Sequence, residues 1–135
     1  MSTEKEWIGT AIRIYDQHAT HKSPKRQVIF EKAYSELLNK CPIKKGAIVL
    51  DLGCGCGEIT GALSGAEVTV IGIDISMNSI RQAKLFYPQS NFLCADMNRL
   101  PFKEQCFDLI TAMSSLEFCY DKAHILREVR GKLSD

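Results

Sequence analysis

The fold is decided by residues 47–60, Ala47-Ile48-Val49-Leu50-Asp51-Leu52-Gly53-Cys54-Gly55-Cys56-Gly57-Glu58-Ile59-Thr60. A run of β-forming residues reaches an aspartate, three glycines then alternate with other residues, and helix-compatible residues follow. This order predicts a strand, a tight turn and a helix start. Glycine lets a ligand approach the backbone closely, and a helix start offers unpaired N–H groups and a positive dipole end. We therefore expect a ligand with a carboxylate or another anionic edge above this turn.

The glycine spacing argues against two common nucleotide sites. A dinucleotide fingerprint requires glycine or alanine five residues after its first glycine, where this chain has Glu58 after Gly53 or Thr60 after Gly55. Glu58 would also bring negative charge near a pyrophosphate, which disfavours a nicotinamide-dependent oxidoreductase. A mononucleotide P-loop fails as well, because no Gly-Lys-Ser or Gly-Lys-Thr follows. The pattern that remains is Asp-x-Gly-x-Gly-x-Gly.

Three later segments complete a series of predicted strands. Residues 68–74, VTVIGID, end at Asp74, which lies 23 residues after Asp51. That offset is close to the ~20 residues at which a second-strand acid meets a ribose hydroxyl pair. Residues 92–97, FLCADM, and 107–113, FDLITAM, follow in order. With these four ordered segments the sequence resembles class I S-adenosylmethionine-dependent methyltransferases.

The resemblance implies a Rossmann-like α/β fold with three α/β/α layers and a mostly parallel sheet in the strand order 3-2-1-4. We expect an N-terminal helical segment over residues 1–41 and a cofactor-binding domain over 42–135. The family's sheet has seven strands in the order 3-2-1-4-5-7-6. This chain ends at Asp135, where the turn into the fifth strand would begin, so we expect it to be truncated before that strand.

Apolar spacing and capping residues predict five helices. They cover residues 4–18, residues 24–40 after the cap Ser23, residues 58–64, a helix between the cap Ser76 and Pro88, and a last helix capped by Asp121. The expected inward residues of the last two helices are Ile80, Ala83 and Phe86, and then Ile125, Leu126 and Val129.

The resemblance also assigns roles to individual positions around S-adenosylmethionine. The backbone of Gly53, Cys54, Gly55 and Gly57 would lie under the methionine part, and Asp51 would help to orient the amino group directly or through water. Asp74 would accept from the ribose hydroxyls, Ile75 would pack on the adenine, and Asp96 with the Met97 N–H would read the polar edge of the adenine. Ala112 or Met113 would line the methyl-donor end, and Tyr15 would lie near the cofactor carboxylate, although it equally completes an apolar helical stripe.

The catalytic group and the methyl acceptor stay open. Methyl transfer needs mainly in-line positioning and exclusion of water, and a base matters only if the acceptor must lose a proton. Glu117, Asp121, His18 and His21 are available by position, and nothing in the sequence selects among them. The sequence most resembles the subgroup that includes ubiquinone- and biotin-pathway methyltransferases, in which a histidine often follows strand four where this chain has Glu117. We expect a small-molecule acceptor and S-adenosylhomocysteine as product; the alternative is a cofactor-binding module without catalysis of its own.

The fourth predicted strand would be a sheet edge. Its residues 109–113 carry no charge or proline that would discourage pairing, so we expect a second copy of the chain or another polypeptide to cover it, unless the N-terminal helices do so. A truncated gene product or a cloned fragment is a further alternative.

Composition argues for a cytoplasmic protein with no membrane or nucleic-acid partner. The chain has 135 residues, a formal net charge of +1 and six cysteines, without an apolar run near the ~20 residues of a membrane span. The N-terminus lacks the layout of a secretion signal, so the cysteines are expected to be reduced thiols. Cys54 and Cys56 are only two of the four ligands of a typical zinc site, and we expect no metal.

Overall fold

The computed structural model describes residues 3–18, 24–65, 67–113 and 115–135. Two sequence predictions lie outside these residues, namely the helix cap Ser23 and the candidate base His21. The side chains of Tyr15 and His18 also lie outside the description, although their backbone forms part of a helix. Within the described residues, no helix is both long and apolar enough to cross a membrane.

Helices and strands alternate after two N-terminal helices. The elements are α1 (Glu4–His18), α2 (Pro24–Lys40), β1 (Ile48–Leu52), α3 (Glu58–Leu63), β2 (Thr69–Asp74), α4 (Met77–Phe86), β3 (Asn91–Cys94), β4 (Leu109–Thr111), a 3-10 turn (Leu116–Phe118) and α5 (Lys122–Lys132). The predicted ends of α1 and α2 agree with this structure. The predicted caps of α4 and α5 also form, because the side chains of Ser76 and Asp121 accept from the N–H groups of Ser79 and His124.

The four strands form one parallel sheet in the order β3-β2-β1-β4. This order confirms the prediction from sequence. In the register, Asp51 pairs with Gly72 and Thr111, while Asp74 pairs with Cys94. The carboxyl ends of all four strands therefore meet at one edge of the sheet, where open α/β sheets bind ligands.

The two faces of the sheet are covered by different helices. On one face Val49 and Val70 pack with Ile59 and Leu63 of α3, and partly buried residues of α2 join them. On the other face Leu50 and Ile73 form a second core, which α5 joins. Because successive residues of a strand point to opposite faces, the apolar run of β1 supplies both cores. This arrangement confirms the three-layer architecture.

Two expected core residues are instead exposed. Phe86, at the last position of α4, is 39% exposed, and Leu126 in α5 is 56% exposed. The buried residues of α4 are Ser79, Ile80 and Ala83, and among the described side chains of α5 the one buried apolar residue is Ile125. The apolar stripe of each helix is thus narrower than the sequence pattern suggested.

The third and fourth strands are shorter than predicted. β3 ends at Cys94, so Asp96 and Met97 lie in the loop beyond it, and β4 spans only Leu109–Thr111. Just before β4, Phe107 forms an isolated parallel bridge with Leu133, and its carbonyl accepts from the Ser134 N–H at 2.8 Å. Among the described residues, β4 itself pairs only with β1.

Candidate functional site

The turn after β1 is built on three glycines with positive φ. The angles are +66° at Gly53, +53° at Gly55 and +88° at Gly57, which precedes α3 as its N-cap. Residues with a Cβ adopt this region at a cost, so the left-handed backbone accounts for glycine at all three positions. The chain thereby reverses within five residues and returns as a short helix.

Only the middle glycine faces open space. A Cβ on Gly53 would overlap Cβ of Ser115, and a Cβ on Gly57 would lie 2.7 Å from Cζ of Phe92. A Cβ on Gly55 would meet no atom within 4 Å. The outer two glycines therefore admit neighbouring side chains of the protein, whereas Gly55 leaves its surface accessible to a ligand.

The carboxylate at the end of β2 is held against this turn. Oδ2 of Asp74 accepts from the Gly55 N–H at 2.9 Å, and Oδ1 accepts from the Ser76 N–H at 2.8 Å. The Cys54 N–H adds a bond of 2.9 Å to the carbonyl of Ile73. The half-buried Ile75 follows directly, and its carbonyl accepts from the Cys94 thiol. The structure thus brings the predicted ribose carboxylate beside the open glycine.

The acid at the end of β1 is buried. Asp51 is 2% exposed, and its two oxygens accept from the hydroxyls of Thr60 at 2.7 Å and Thr111 at 3.1 Å. Burial raises the pKa of Asp51 to about 6, because it removes water from the charged form and outweighs the two hydroxyl donors. Asp51 therefore ties the first turn of α3 to the end of β4, and sequence reasoning missed both threonine partners.

A second carboxylate lies in the loop beyond β3. Oδ1 of Asp96 accepts from the backbone N–H and the side-chain amide of Asn98, at 2.8 and 2.7 Å. The side chain of Met97 is half-buried, and its sulfur accepts from the Cys119 thiol at 3.4 Å. This loop follows β3, the strand next to β2, so Asp96 lies at the same edge of the sheet as Asp74.

The two residues after β4 contribute to the cores. Ala112 packs against the core that contains Leu50, and Met113 packs against the opposite core that contains Val49. Both are half-buried. Their packing fixes the start of the segment that leads to Ser115.

Ser115 is the residue at this edge that sequence reasoning missed. It is 9% exposed, and its hydroxyl has no hydrogen-bond partner among the described residues. Its Cβ occupies the space that a side chain on Gly53 would need. No residue-type signal marks this serine, because its relation to Gly53 arises only when β4 pairs with β1.

Two of the candidate bases, Glu117 and Asp121, have side chains that the structure describes. Glu117 is exposed, and Asp121 is engaged as the cap of α5. His124, which the sequence did not suggest as a base, is exposed, and its Nε2 lies 2.7 Å from the carbonyl of Asn98. Within the described residues, no group of three or more His, Cys, Asp or Glu side chains could hold a metal ion. Cys54 is a small buried side chain, and burial raises the pKa of its thiol well above the ordinary value.

The residues at this edge fit S-adenosylmethionine. The turn has an open surface at Gly55 and the unpartnered hydroxyl of Ser115 beside Gly53, and Asp74 is hydrogen-bonded to it. The sheet order is that of a Rossmann-like fold, and the family match places the chain among class I S-adenosylmethionine-dependent methyltransferases. The family described as "Methyltransferase domain" matches residues 50–135, and the chain belongs to it. Its members use S-adenosylmethionine and release S-adenosylhomocysteine.

Two curated relatives are methyltransferases by name. A malonyl-[acyl-carrier protein] O-methyltransferase from Pseudescherichia vulneris is 28% identical over 122 residues, which cover 90% of this chain and 45% of the relative. A ubiquinone biosynthesis O-methyltransferase from Coxiella burnetii is 37% identical over 87 residues, or 62% of this chain and 37% of the relative. The chain thus spans less than half the length of these two relatives.

A solved structure is similar over most of the chain. It is the complex between the Haloferax volcanii Trm112 methyltransferase activator and a protein described as a methyltransferase. The similar chain is 25% identical with a TM-score of 0.75, and the match covers 89% of this chain and 55% of that one.

Proposed function

We propose that this chain binds S-adenosylmethionine above the glycine turn and that its protein transfers the methyl group to a small molecule. The observation that carries the proposal is the hydrogen bond from the Gly55 N–H to Oδ2 of Asp74. It joins the one open glycine of the turn to the carboxylate at the end of the neighbouring strand. A ligand with an amino-acid tail and a ribose would place its tail over the open glycine and its ribose hydroxyls at the carboxylate.

The ligand-binding roles follow the order of the strands. The backbone of residues 53–57 lies under the methionine part, Asp74 accepts from the ribose hydroxyls, and Ile75 packs on the adenine. Beyond β3, Asp96 and the Met97 N–H bind the polar edge of the adenine. Support comes from the position of these residues just past the carboxyl ends of adjacent strands.

The methyl-donor end lies beside β4. Ala112 or Met113 lines it, and Asp51 orients the amino group. Because Asp51 is 2% exposed and already accepts from two hydroxyls, its burial favours a contact through water over a direct one. Tyr15 of α1, whose side chain lies outside the described residues, is proposed near the cofactor carboxylate.

The chemistry asks little of the protein beyond positioning. S-adenosylmethionine supplies an activated methyl group when it is bound. The chain's own residues hold the ribose and the amino-acid tail in position. No base is assigned, since Glu117 is exposed and Asp121 caps α5.

A small-molecule acceptor is supported by the name of one relative. That relative is named for ubiquinone biosynthesis and is 37% identical over its matched residues. The other relative is named for a malonyl group on a carrier protein, so its name does not point to a free small molecule. We propose a cytoplasmic protein in which residues 1–41 form a helical segment beside the cofactor-binding domain, residues 42–135.

The second candidate is a cofactor-binding module that a partner completes. It is favoured by β4, which among the described residues pairs only with β1 and exposes its other edge to a second chain. The solved complex of a similar chain with a methyltransferase activator gives a precedent for a partner. A second copy of this chain or another polypeptide would lie along that edge.

Isothermal titration calorimetry tests the proposed cofactor. The chain is expected to bind S-adenosylhomocysteine and not NAD; binding of NAD alone, or of neither ligand, contradicts the proposal. Turnover then separates the two candidates. Methyl transfer to small acceptors by the chain alone supports the enzyme, whereas transfer only with an added partner supports the module.

A further inference from the structure

The side chain of Ser115 has a polar atom that the protein does not satisfy. Ser115 is 9% exposed, and its Oγ is buried without a hydrogen-bond partner among the described residues. Its carbonyl does have a partner, because the Cys119 thiol lies 3.5 Å from it. A buried hydroxyl without a partner is destabilising, and native proteins retain few such groups. The hydroxyl therefore calls for an explanation outside the described contacts.

The position of this hydroxyl is set by the glycine turn. Oγ of Ser115 lies 3.2 Å from the point where a Cβ on Gly53 would be, and Cε of Met97 lies 3.5 Å from the same point. Gly53 is the first residue of the turn, two positions before the open Gly55. Ser115 thus approaches the turn from the side of β4, while Asp74 approaches it from the side of β2.

We propose that the Ser115 hydroxyl hydrogen-bonds the amino-acid end of the bound S-adenosyl ligand. The inference rests on the proposed function, and it adds a residue for which sequence reasoning gave no role. The hydroxyl is shielded from solvent in this structure, so the contact forms by rotation about the Cα–Cβ bond of Ser115. That rotation moves one oxygen atom and no backbone. It exchanges an unsatisfied buried group for a charge-assisted hydrogen bond, which is the stronger kind.

The decisive variant is Ser115→Ala, because its two effects have opposite signs. Removal of an unpartnered hydroxyl should leave the melting temperature of the ligand-free chain unchanged or raise it. The affinity for S-adenosylhomocysteine should fall by about tenfold or more, the expected size for one hydrogen bond to a charged group. Affinity for 5′-methylthioadenosine, which has the nucleoside and sulfur without the amino-acid end, should not change.

Ser64→Ala is the matched control. The Ser64 hydroxyl donates to the Thr60 carbonyl at 2.8 Å and lies 3.0 Å from that of Ser90, at the end of α3 remote from the turn. Its removal should lower the melting temperature and leave both affinities unchanged. If Ser115→Ala does not fold, Ser115→Cys keeps a side chain of similar shape with only a weak donor. It should likewise lose affinity for S-adenosylhomocysteine and keep its affinity for 5′-methylthioadenosine.

The outcomes separate this inference from the proposed function. Wild-type binding of S-adenosylhomocysteine with equal affinity in Ser115→Ala overturns the inference alone. An equal loss for both ligands also overturns it, because the contact would then not be to the amino-acid end. Failure of the wild-type chain to bind S-adenosylhomocysteine removes the proposed function and this inference together.

Discussion

The Gly55 N–H donates a 2.9 Å hydrogen bond to Oδ2 of Asp74, and this contact joins the turn after β1 to the end of β2. The two residues are 19 positions apart in sequence, and each has a distinct relation to a ligand. Gly55 offers open space, and Asp74 offers a carboxylate that two backbone N–H groups hold in one orientation. Because the Asp74 side chain is already held in place, less of its conformational entropy is lost when a ligand binds.

Replacement of Asp74 should weaken nucleoside binding. In Asp74→Ala the binding of S-adenosylhomocysteine should become weaker by about 1.5–3 kcal/mol, because charged hydrogen bonds to the ribose are lost. Calorimetry measures the change directly. Asp108→Ala is the control: Asp108 is exposed and accepts from the Ile48 N–H, at the opposite end of β1 from the turn. Equal affinities of Asp74→Ala and the wild type would remove Asp74 from the site.

Alanine substitution of each of the three glycines should destabilise the fold to a different extent, and the order of these effects should differ from the order of their effects on ligand binding. Positive φ costs alanine about 1–2 kcal/mol at each position. Overlap with Ser115 or Phe92 should add about 1–3 kcal/mol at Gly53 and Gly57. In denaturant unfolding, Gly55→Ala should therefore be the least destabilised of the three.

Binding should show a different effect at Gly55. The methyl group of Gly55→Ala would project into the space proposed for the ligand, so this variant should lose affinity for S-adenosylhomocysteine although it folds best. An unchanged affinity for Gly55→Ala would show that the ligand does not approach the turn at that residue.

The buried Asp51 should make stability depend on pH below neutrality. Its folded-state pKa is raised from 3.8 to about 6, so the native protein holds this proton more tightly than the unfolded chain. The free energy of unfolding should therefore fall as pH rises through that interval, by about 3 kcal/mol from this group. Above pH 6 and below pH 3.8 the contribution should be constant.

Asp51→Asn should remove this part of the pH dependence. Urea titrations at several values between pH 4 and 7 measure it as the difference between the variant and the wild type. The same slope in both proteins would mean that another group is responsible.

The open edge of β4 should promote association. Among the described residues, no strand pairs with the backbone N–H and C=O groups on the side of β4 that faces away from β1. An edge of this kind can pair with another strand, and Leu109, Ile110 and Thr111 carry no charge that would oppose it. Sedimentation velocity at micromolar concentration should detect a dimer or larger species whose fraction grows with concentration. A monomer throughout the concentration range contradicts the proposed covering of this edge by a second copy.

Local sequence was sufficient to predict where the strands and turns lie and which acids stand at the strand ends. Glycine, aspartate and proline mark chain reversals by their own conformational preferences, and the apolar runs between them show the strands. The sequence was enough to predict that Asp51 and Asp74 lie at the same edge of the sheet, because the carboxyl ends of parallel strands meet there. The family resemblance supplied the strand order and the roles; the sequence alone gave the positions.

Relations between distant residues were not predictable. Gly53 contacts Ser115, which lies 62 positions later, and Gly57 contacts Phe92, which lies 35 positions later. A sequence pattern cannot show that such glycines make room for side chains instead of a ligand. The unpartnered hydroxyl of Ser115 has the same origin, since it depends on the pairing of β4 with β1.

The errors at Phe86 and Leu126 have a different cause. Both residues continue an apolar helical stripe, but Phe86 is the last residue of α4 and Leu126 adjoins the buried Ile125 on the outer side of α5. Helical periodicity gives the direction of a face and not its width. Exposed apolar side chains are common on protein surfaces, so the pattern alone could not exclude these two.

The most direct test of the central claim is a crystal structure of the chain with S-adenosylhomocysteine. The account predicts electron density for the amino-acid tail above Gly55 and for the ribose hydroxyls within hydrogen-bonding distance of the Asp74 carboxylate. Density for the ligand at any other place on the protein would contradict it.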